Sequence, residues 1–145
     1  MNRETVTAAL WTRLAAIPGI TTAERRVRHF AEVSPSEMPA LFLGVDDSES
    51  DQERGRRASW TLNFSVYVYC HDASRAGPWS RLNTIVDAID AALALQPAEF
   101  RSGQTFGPTT LGGVVSHAWL TKVETDEGSL GDLGVALCSI EVLAT

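Results

Sequence analysis

The last third of the chain opens with LGGVVSHAW (residues 111–119), which leads into two runs with the apolar content and length of β-strands. These runs span residues 114–123 and 135–143, and the segment 124–132 between them is too acidic and glycine-rich to continue either one. The pattern predicts a long β-hairpin with a solvated tip. Because a hairpin alone is marginal in water, the rest of the chain must supply strands and helices that cover one of its faces.

The upstream sequence supplies these partners. The predicted elements are, in order, a helix over residues 1–17, a strand within 20–33 that includes Val27 and Phe30, a strand over 40–45 buried on both faces, an alternating strand over 60–70 and a helix over 78–95. Together with the hairpin they predict a single domain over residues 1–145. Its class is α+β, in the order α-β-β-β-α-β-β, with a largely antiparallel sheet of about five strands and two main helices packed on one face.

Composition narrows the functional classes. The chain has 145 residues, 44% hydrophobic and 21% charged, which is typical of one folded domain. Its net charge of −6 argues against a sequence-specific nucleic-acid binder, although it does not exclude a protein that lets nucleic acid pass. Charged residues in the first helix argue against a signal peptide, and no apolar run approaches the roughly 20 residues that span a bilayer. We therefore expect a protein made in the cytoplasm, with no membrane partner.

The two cysteines, Cys70 and Cys138, lie far apart in sequence, each in a strand-like run. Because nothing indicates secretion, we expect both to be reduced and buried as small hydrophobic residues. A disulfide between them is the alternative.

The sequence contains no recognisable catalytic or metal-binding motif. Gly112 and Gly113 precede a strand rather than a helix, so they do not form a phosphate-binding loop. The three histidines, His29, His71 and His117, lie in three separate elements and do not have the spacing of metal ligands. We expect no enzymatic activity, no metal and no cofactor.

The acidic tip of the hairpin has two interpretations. It contains Glu124, Asp126, Glu127 and Asp132. These carboxylates are of the kind that binds a divalent cation, but they lack the regular spacing of a calcium loop. The spacing favours a solvated tip.

Aromatic and arginine side chains instead indicate a protein that binds other proteins, because these residue types are enriched at interfaces. The candidate interface residues are Trp11, Arg25, Arg26, Arg28, Tyr67, Tyr69, His117 and Trp119. The alternation of the third strand predicts that both tyrosines are exposed, towards either solvent or a subunit. The arginines are interpreted either as a solvated surface or as partners of acidic groups on a neighbouring subunit.

A second acidic segment covers residues 46–57 and is predicted to be a mobile loop or a splayed hairpin tip. Its carboxylates precede three arginines and are Asp46, Asp47, Glu49, Asp51 and Glu53. Acidic loops in one region and an arginine cluster in another suit a head-to-tail contact between copies, and such contacts close into rings.

Several stretches together resemble the tail-completion, or tail-terminator, proteins of long-tailed bacteriophages and prophages. The similarity covers nearly the whole chain, and its most specific element is the Leu-Gly-Gly-Val of residues 111–114. The stretches that carry it are the amphipathic first helix, MPALFL (38–43), the alternating strand 60–69, LNTIVDAIDAAL (82–93), QT (104–105), TLGGVVSHAW (110–119), ETDEG (124–128) and the last strand.

The resemblance implies a minor tail protein that forms a ring, usually a hexamer, on the head-proximal end of the tail tube. Such a ring ends tail polymerisation and offers the surface for head–tail joining. Its implied partners are further copies of itself, the major tail tube protein, the head–tail connector, and DNA that passes through without sequence-specific binding. The implied location is the host cytoplasm during assembly and then the tail or neck of the virion.

By the same resemblance, the acidic loops 46–53 and 124–132 are expected to face the lumen or the ring faces. The alternatives are a head-closure connector of the same particle and a non-viral α+β domain that binds a small ligand.

Overall fold

A computed structural model describes residues 1–126 and 130–145 of the chain. It confirms an α+β fold in the order α-β-β-β-α-β-β, with three short 3₁₀ turns between the main elements. The helices and strands are α1 (Arg3–Ala15), β1 (Thr22–Glu24), β2 (Ala40–Asp51), β3 (Ser59–His71), α2 (Trp79–Ala92), β4 (His117–Asp126) and β5 (Leu133–Ala144).

All five strands join one sheet in the order β1-β2-β3-β5-β4. Only β1 and β2 run parallel, and the other three pairings are antiparallel, as predicted. The alternating strand β3 lies at the centre, where Val66 is opposite Leu43 of β2 and Cys138 of β5. The two outer strands, β1 and β4, leave much of each sheet edge without a strand partner.

The main core lies between one face of the sheet and the two helices. Its side chains come from the apolar stripes of α1 and α2 and from alternate positions of the strands. Alternate positions of β5 point into this core: Ala136, Cys138, Ile140 and Val142 are all buried in the cluster. Both cysteines are free and buried, so the reduced state is confirmed, and burial raises the pKa of each thiol to about 11.

Close packing between α2 and the sheet depends on a glycine. A Cβ atom added to Gly134 of β5 would lie 2.8 Å from Cγ of Pro78, which is too short for any side chain. Pro78 occupies the position just before α2, so the helix begins at Trp79 rather than at the proline. The glycine therefore allows the first turn of α2 to sit directly on β5. No helix in the described part of the chain is long and apolar enough to cross a membrane.

A smaller core on the opposite face of the sheet corrects one prediction. Tyr69 was expected to be exposed, but it is only 3% exposed and packs with Val33, Ala40 and Phe42. The residues between β1 and β2 cover it, and its hydroxyl donates a hydrogen bond to the backbone oxygen of Arg28 at 2.6 Å. Burial raises the pKa of Tyr69. Tyr67, two residues earlier on the same face of β3, is half-buried.

The first strand is much shorter than the predicted segment. It pairs with β2 only from Thr22 to Glu24, so Val27 and Phe30 were wrongly assigned to it. The chain leaves the sheet edge because the segment after Glu24 covers the smaller core, and Phe30 begins a 3₁₀ turn there.

The second strand is longer than predicted. Residues 46–51 were expected to be loop, but they continue β2 past an irregularity between Val45 and Ser48. Backbone pairing with β3 needs no apolar side chain, which is why the absence of an apolar pattern was misleading. The hairpin-tip interpretation applies only to residues 52–58.

The hairpin strand also begins later than expected, at His117 rather than at residue 114. Residues 111–113 adopt positive φ angles, which are incompatible with a strand, and Val115 is buried in the main core from a turn. At the tip, Glu127 lies outside the described residues.

Candidate assembly surfaces

A buried carboxylate organises the loop that leads into the hairpin. The side chain of Glu99 is 2% exposed and accepts hydrogen bonds from the backbone N–H groups of Gln96, Thr110 and Gly112. The hydroxyls of Thr109 and Thr110 also donate to it, and Arg13 of α1 lies 3.2 Å away. One side chain thus ties together α1, the end of the α2 segment and the turn before β4.

The hydrogen bonds determine the charge state of Glu99. Burial raises its pKa, but the N–H groups of Gly112 and Gln96 and the two threonine hydroxyls outweigh that effect. The net pKa is lowered from 4.5 to about 2, so the group is ionised at neutral pH.

The same interaction explains the glycine pair. The N–H of Gly112 approaches Oε1 of Glu99 at 2.8 Å with a backbone φ of 74°, a region that glycine enters without strain. Leu111 also has a positive φ, 50°, and its side chain is buried. The Leu-Gly-Gly element is therefore an anchoring turn around a carboxylate.

Between Glu99 and this turn, residues 100–107 form a loop that we call the finger. Near its C-terminal end the finger carries Phe106, which is 83% exposed, and Phe100 at its start is partly exposed. Both ends of the finger are fixed: the N–H of Phe100 bonds to the oxygen of Pro97 at 3.2 Å, and the N–H of Leu95 bonds to the oxygen of Gly107 at 2.8 Å. The finger thus holds a large apolar side chain out in solvent on an anchored base.

A shallow depression lies between the end of α1 and the middle of α2, and we call it the α1–α2 hollow. It has a volume of about 380 Å³ and opens to solvent. Its apolar lining comes from Ala16, Ile17, Pro18, Ala88, Ala91 and Ala92.

The sheet face away from the helices is only partly covered. Leu137, Glu141 and Leu143 of β5 are half-exposed there. His117 and Trp119 of β4 lie beside them, opposite Leu143 and Glu141, with their ring centroids 4.3 Å apart. We call this region the open face. It brings together two of the aromatic residues predicted to form an interface.

An acidic edge runs along β2 over residues 46–51, beyond the last residue paired with β1. Its carboxylates are exposed, and two of them bond to β3: Asn63 donates to Asp47 at 2.7 Å, and the Ser65 hydroxyl donates to Asp46. Charged side chains on an unpaired strand edge discourage uncontrolled strand addition. In the turn beyond, Glu53 pairs with Arg56 at 3.1 Å, so the charges there partly cancel.

The three predicted interface arginines have different surroundings. Arg25 forms a bidentate salt bridge with Glu4 of α1, and the hydrogen bonds from Arg25 lower the pKa of Glu4. Arg28 contacts Glu37 at 3.1 Å and Glu24 at 3.6 Å. Arg26 is exposed and has no ion pair or hydrogen bond among the residues that the structure describes. The interactions of two of the three are thus satisfied within one chain.

The remaining predicted residues are dispersed. Trp11 is half-buried against the main core. In the hairpin, Glu124 pairs with Lys122 at 2.6 Å, Asp132 is exposed and Asp126 is half-buried. Over residues 1–126 and 130–145, no group of His, Cys, Asp and Glu side chains is arranged to bind a metal ion.

Sequence reasoning missed two residues at this end of the molecule, the buried carboxylate Glu99 and the exposed Phe106. Glu99 follows Pro97 in a short 3₁₀ turn, and a local signal existed because its side chain bonds back to the N–H of Gln96 three residues earlier, as in a capping box. Phe106 lies between Thr105 and Gly107, in the segment between the second helix and the hairpin, and its exposure has no sequence signal.

Comparison with known proteins reveals a likeness of fold. No protein-family profile and no curated protein matches the chain. A solved structure described as the virion of a native gene transfer agent particle contains a chain that superposes with a TM-score of 0.61 at 16% identity, covering 95% of this chain and 92% of that one. A second solved structure overlaps with a TM-score of 0.49 at 15% identity, covering 98% of this chain and 96% of that one. This TM-score is too low to indicate a shared fold. The chain therefore shares its fold with a chain from the virion of a gene transfer agent particle.

Proposed function

We propose that this chain is a structural protein of a phage-like particle, and that it forms a ring on the head-proximal end of the tail tube. The observation that carries the proposal is the shared fold, end to end, with a chain from the virion of a gene transfer agent. The resemblance in sequence to tail-terminator proteins supports the same role. In this role the ring, a hexamer, ends tail polymerisation and presents the surface for head–tail joining.

The surfaces of the chain suit a role in assembly. The open face presents half-exposed Trp119, Leu137 and Leu143 without a cover from either helix. Aromatic and aliphatic side chains at the centre of a polar surface are typical of protein contacts. By contrast, the two hollows beside the ends of α1 and α2 are shallow, and the buried carboxylate of Glu99 already has its oxygens hydrogen-bonded. This arrangement favours contact between proteins over binding of a small ligand.

The acidic edge supports a specific orientation in the ring. Exposed Asp46, Asp47, Glu49 and Asp51 form a continuous negative strip, and a negative surface repels the phosphates of DNA. We propose that the acidic edge faces the lumen, so that DNA passes through without being held. The tube protein and the head–tail connector would then bind the two opposite ends of the ring.

The decisive experiment measures tail length. Cells producing the tail tube protein of the same particle would be compared with and without this chain, and tails would be imaged by electron microscopy. We expect tubes of defined length with a ring at one end when the chain is present, and overlong tubes without it. If the protein were instead found only on heads, with tube length unchanged, the head-closure alternative would replace this proposal.

A second experiment tests the orientation. Changing the four carboxylates of the acidic edge to Asn or Gln should leave ring formation intact but cause the ring to retain DNA at low salt. The matched control neutralises two exposed acids away from the edge, Glu32 in the 3₁₀ turn before β2 and Asp90 on α2. If DNA retention rises equally in the control, or in neither variant, the acidic edge does not face the lumen.

A further inference from the structure

The side chain of Phe106 in the finger is exposed and is not part of the core of a single chain. Its side chain is 83% exposed, although burying a phenyl group is strongly favourable in water. The exposure is not the result of a loose loop, because hydrogen bonds fix both ends of the finger and the N–H of Gln104 bonds to the oxygen of Arg101 at 2.9 Å within it. A fixed and exposed aromatic side chain of this kind is typical of residues that anchor a protein–protein interface.

The same chain carries a receptor of matching polarity. The α1–α2 hollow is lined by alanines, Ile17 and Pro18, and its volume of about 380 Å³ is large enough for an aromatic ring. Small side chains on α2 create the depression, since Ala88, Ala91 and Ala92 leave space beside the end of α1. An apolar side chain that enters it displaces water from an apolar surface.

Unpaired charges of opposite sign lie at the two surfaces, and Arg13, a cation that also lines the hollow, is already paired with Glu99. Arg101 in the finger is exposed, and within the described residues it has no ion pair. Asp87 of α2 lies one helical turn before Ala91 of the hollow, and it is likewise exposed and unpaired in the described chain. A finger that docks in the hollow thus brings a free cation towards a free carboxylate.

We propose that the finger of one copy docks in the α1–α2 hollow of a second copy, with Phe106 in the hollow and Arg101 beside Asp87. Every copy offers one finger and one hollow, so the contact can be repeated from copy to copy, as a ring requires. The proposal deepens the proposed function by naming a subunit contact, but it is tested separately from it, because self-association in buffer involves no tail tube.

The experiment measures self-association of the full chain by sedimentation velocity over the widest attainable concentration range. We expect the wild type to associate and Phe106→Ala to raise the dissociation constant by about tenfold or more. Val45→Ala is the matched control, because Val45 is 62% exposed but lies in β2, away from the finger. Circular dichroism verifies that both variants are folded.

A charge exchange identifies the partner surface. Arg101→Asp and Asp87→Arg should each weaken association, and the two changes in one chain should restore it. A wild type that stays monomeric, an equal loss in the Val45 control, or a double variant no better than the single ones would each overturn the contact. Failure of the tail-length experiment with intact self-association would instead remove the tail role and leave this contact standing.

Discussion

Two groups of carboxylates in this chain have opposite surroundings. Glu99 is buried and receives hydrogen bonds from four donors on three residues of one turn and from the N–H of Gln96, whereas the acidic edge of β2 is exposed to water. Both groups consist of carboxylic side chains of the same chemistry. Their difference shows that an acidic residue stabilises this fold only where the backbone converges on it, and elsewhere remains a surface charge available to a partner.

The largest expected effect is the loss of the buried carboxylate. Glu99→Ala removes the acceptor for Thr109, Thr110 and Gly112 and leaves Arg13 without its partner. Because Thr109 is buried and Thr110 and Arg13 are half-buried, water replaces their lost partner only in part. We expect a loss of about 3–5 kcal/mol in the free energy of unfolding, measured by urea denaturation. Glu49→Ala on the acidic edge is the control and should change stability by less than about 0.5 kcal/mol. Similar losses in both variants would remove the contrast.

The dependence of stability on pH tests the same contrast without a deletion. The pKa of Glu99 is lowered from 4.5 to about 2 in the folded state, so its contribution is complete above the unfolded pKa and disappears as pH falls through the folded one. This shift corresponds to about 3 kcal/mol, lost mainly between pH 5 and about 2. We expect Glu99→Gln to lack this part of the pH dependence. Parallel curves for the variant and the wild type would contradict the assignment.

A comparison of two glycines tests how rigid the anchored turn is. Gly112 and Gly55 have φ angles of 74° and 85°, and both have free space for a Cβ atom. Alanine strains the backbone at either site. We expect Gly112→Ala to cost about 1–2 kcal/mol, since its N–H must keep its bond to Glu99, and Gly55→Ala to cost less because the exposed turn can relax. Thermal unfolding of both variants provides the measurement, and a larger cost at Gly55 would show the opposite ranking.

The smallest effect is expected on the acidic edge itself. Asp47→Ala removes a single exposed hydrogen bond from Asn63, and we expect a change within about 1 kcal/mol in urea denaturation. Asn63→Ala removes the same bond from the other side and should give a similar value. A loss as large as that of Glu99→Ala would mean that the acidic edge stabilises the fold, which its exposure argues against.

Periodicity was sufficient to predict most of the architecture. The alternation of β3 and β5 and the helical stripes of α1 and α2 determine which side chains are buried, because a side chain's direction follows directly from the repeat of its element. The two buried cysteines and the antiparallel order follow from the same local signals. The similarity to tail proteins also came from sequence stretches alone, and the tail role remains a prediction.

The sequence misled wherever backbone contacts rather than side-chain patterns decide the structure. Residues 46–51 have no apolar period, yet they pair as a strand because the partner strand β3 supplies the hydrogen bonds. Tyr69 has the alternation of an exposed residue, but a segment from elsewhere in the chain covers it.

By itself, the sequence determined the fold class, the order of the elements and the burial of the main core, since these depend on repeats within each element. Only the tertiary structure decided the environment of single polar or apolar residues. Glu99 is buried because Arg13 of α1 and the turn over residues 109–112 converge on it, and Phe106 is held in solvent because its loop is fixed at both ends. Such convergence of separate segments has no counterpart in local sequence. It explains why Gly112 and Gly113 form an anchored turn and why residues 100–107 form a candidate docking finger.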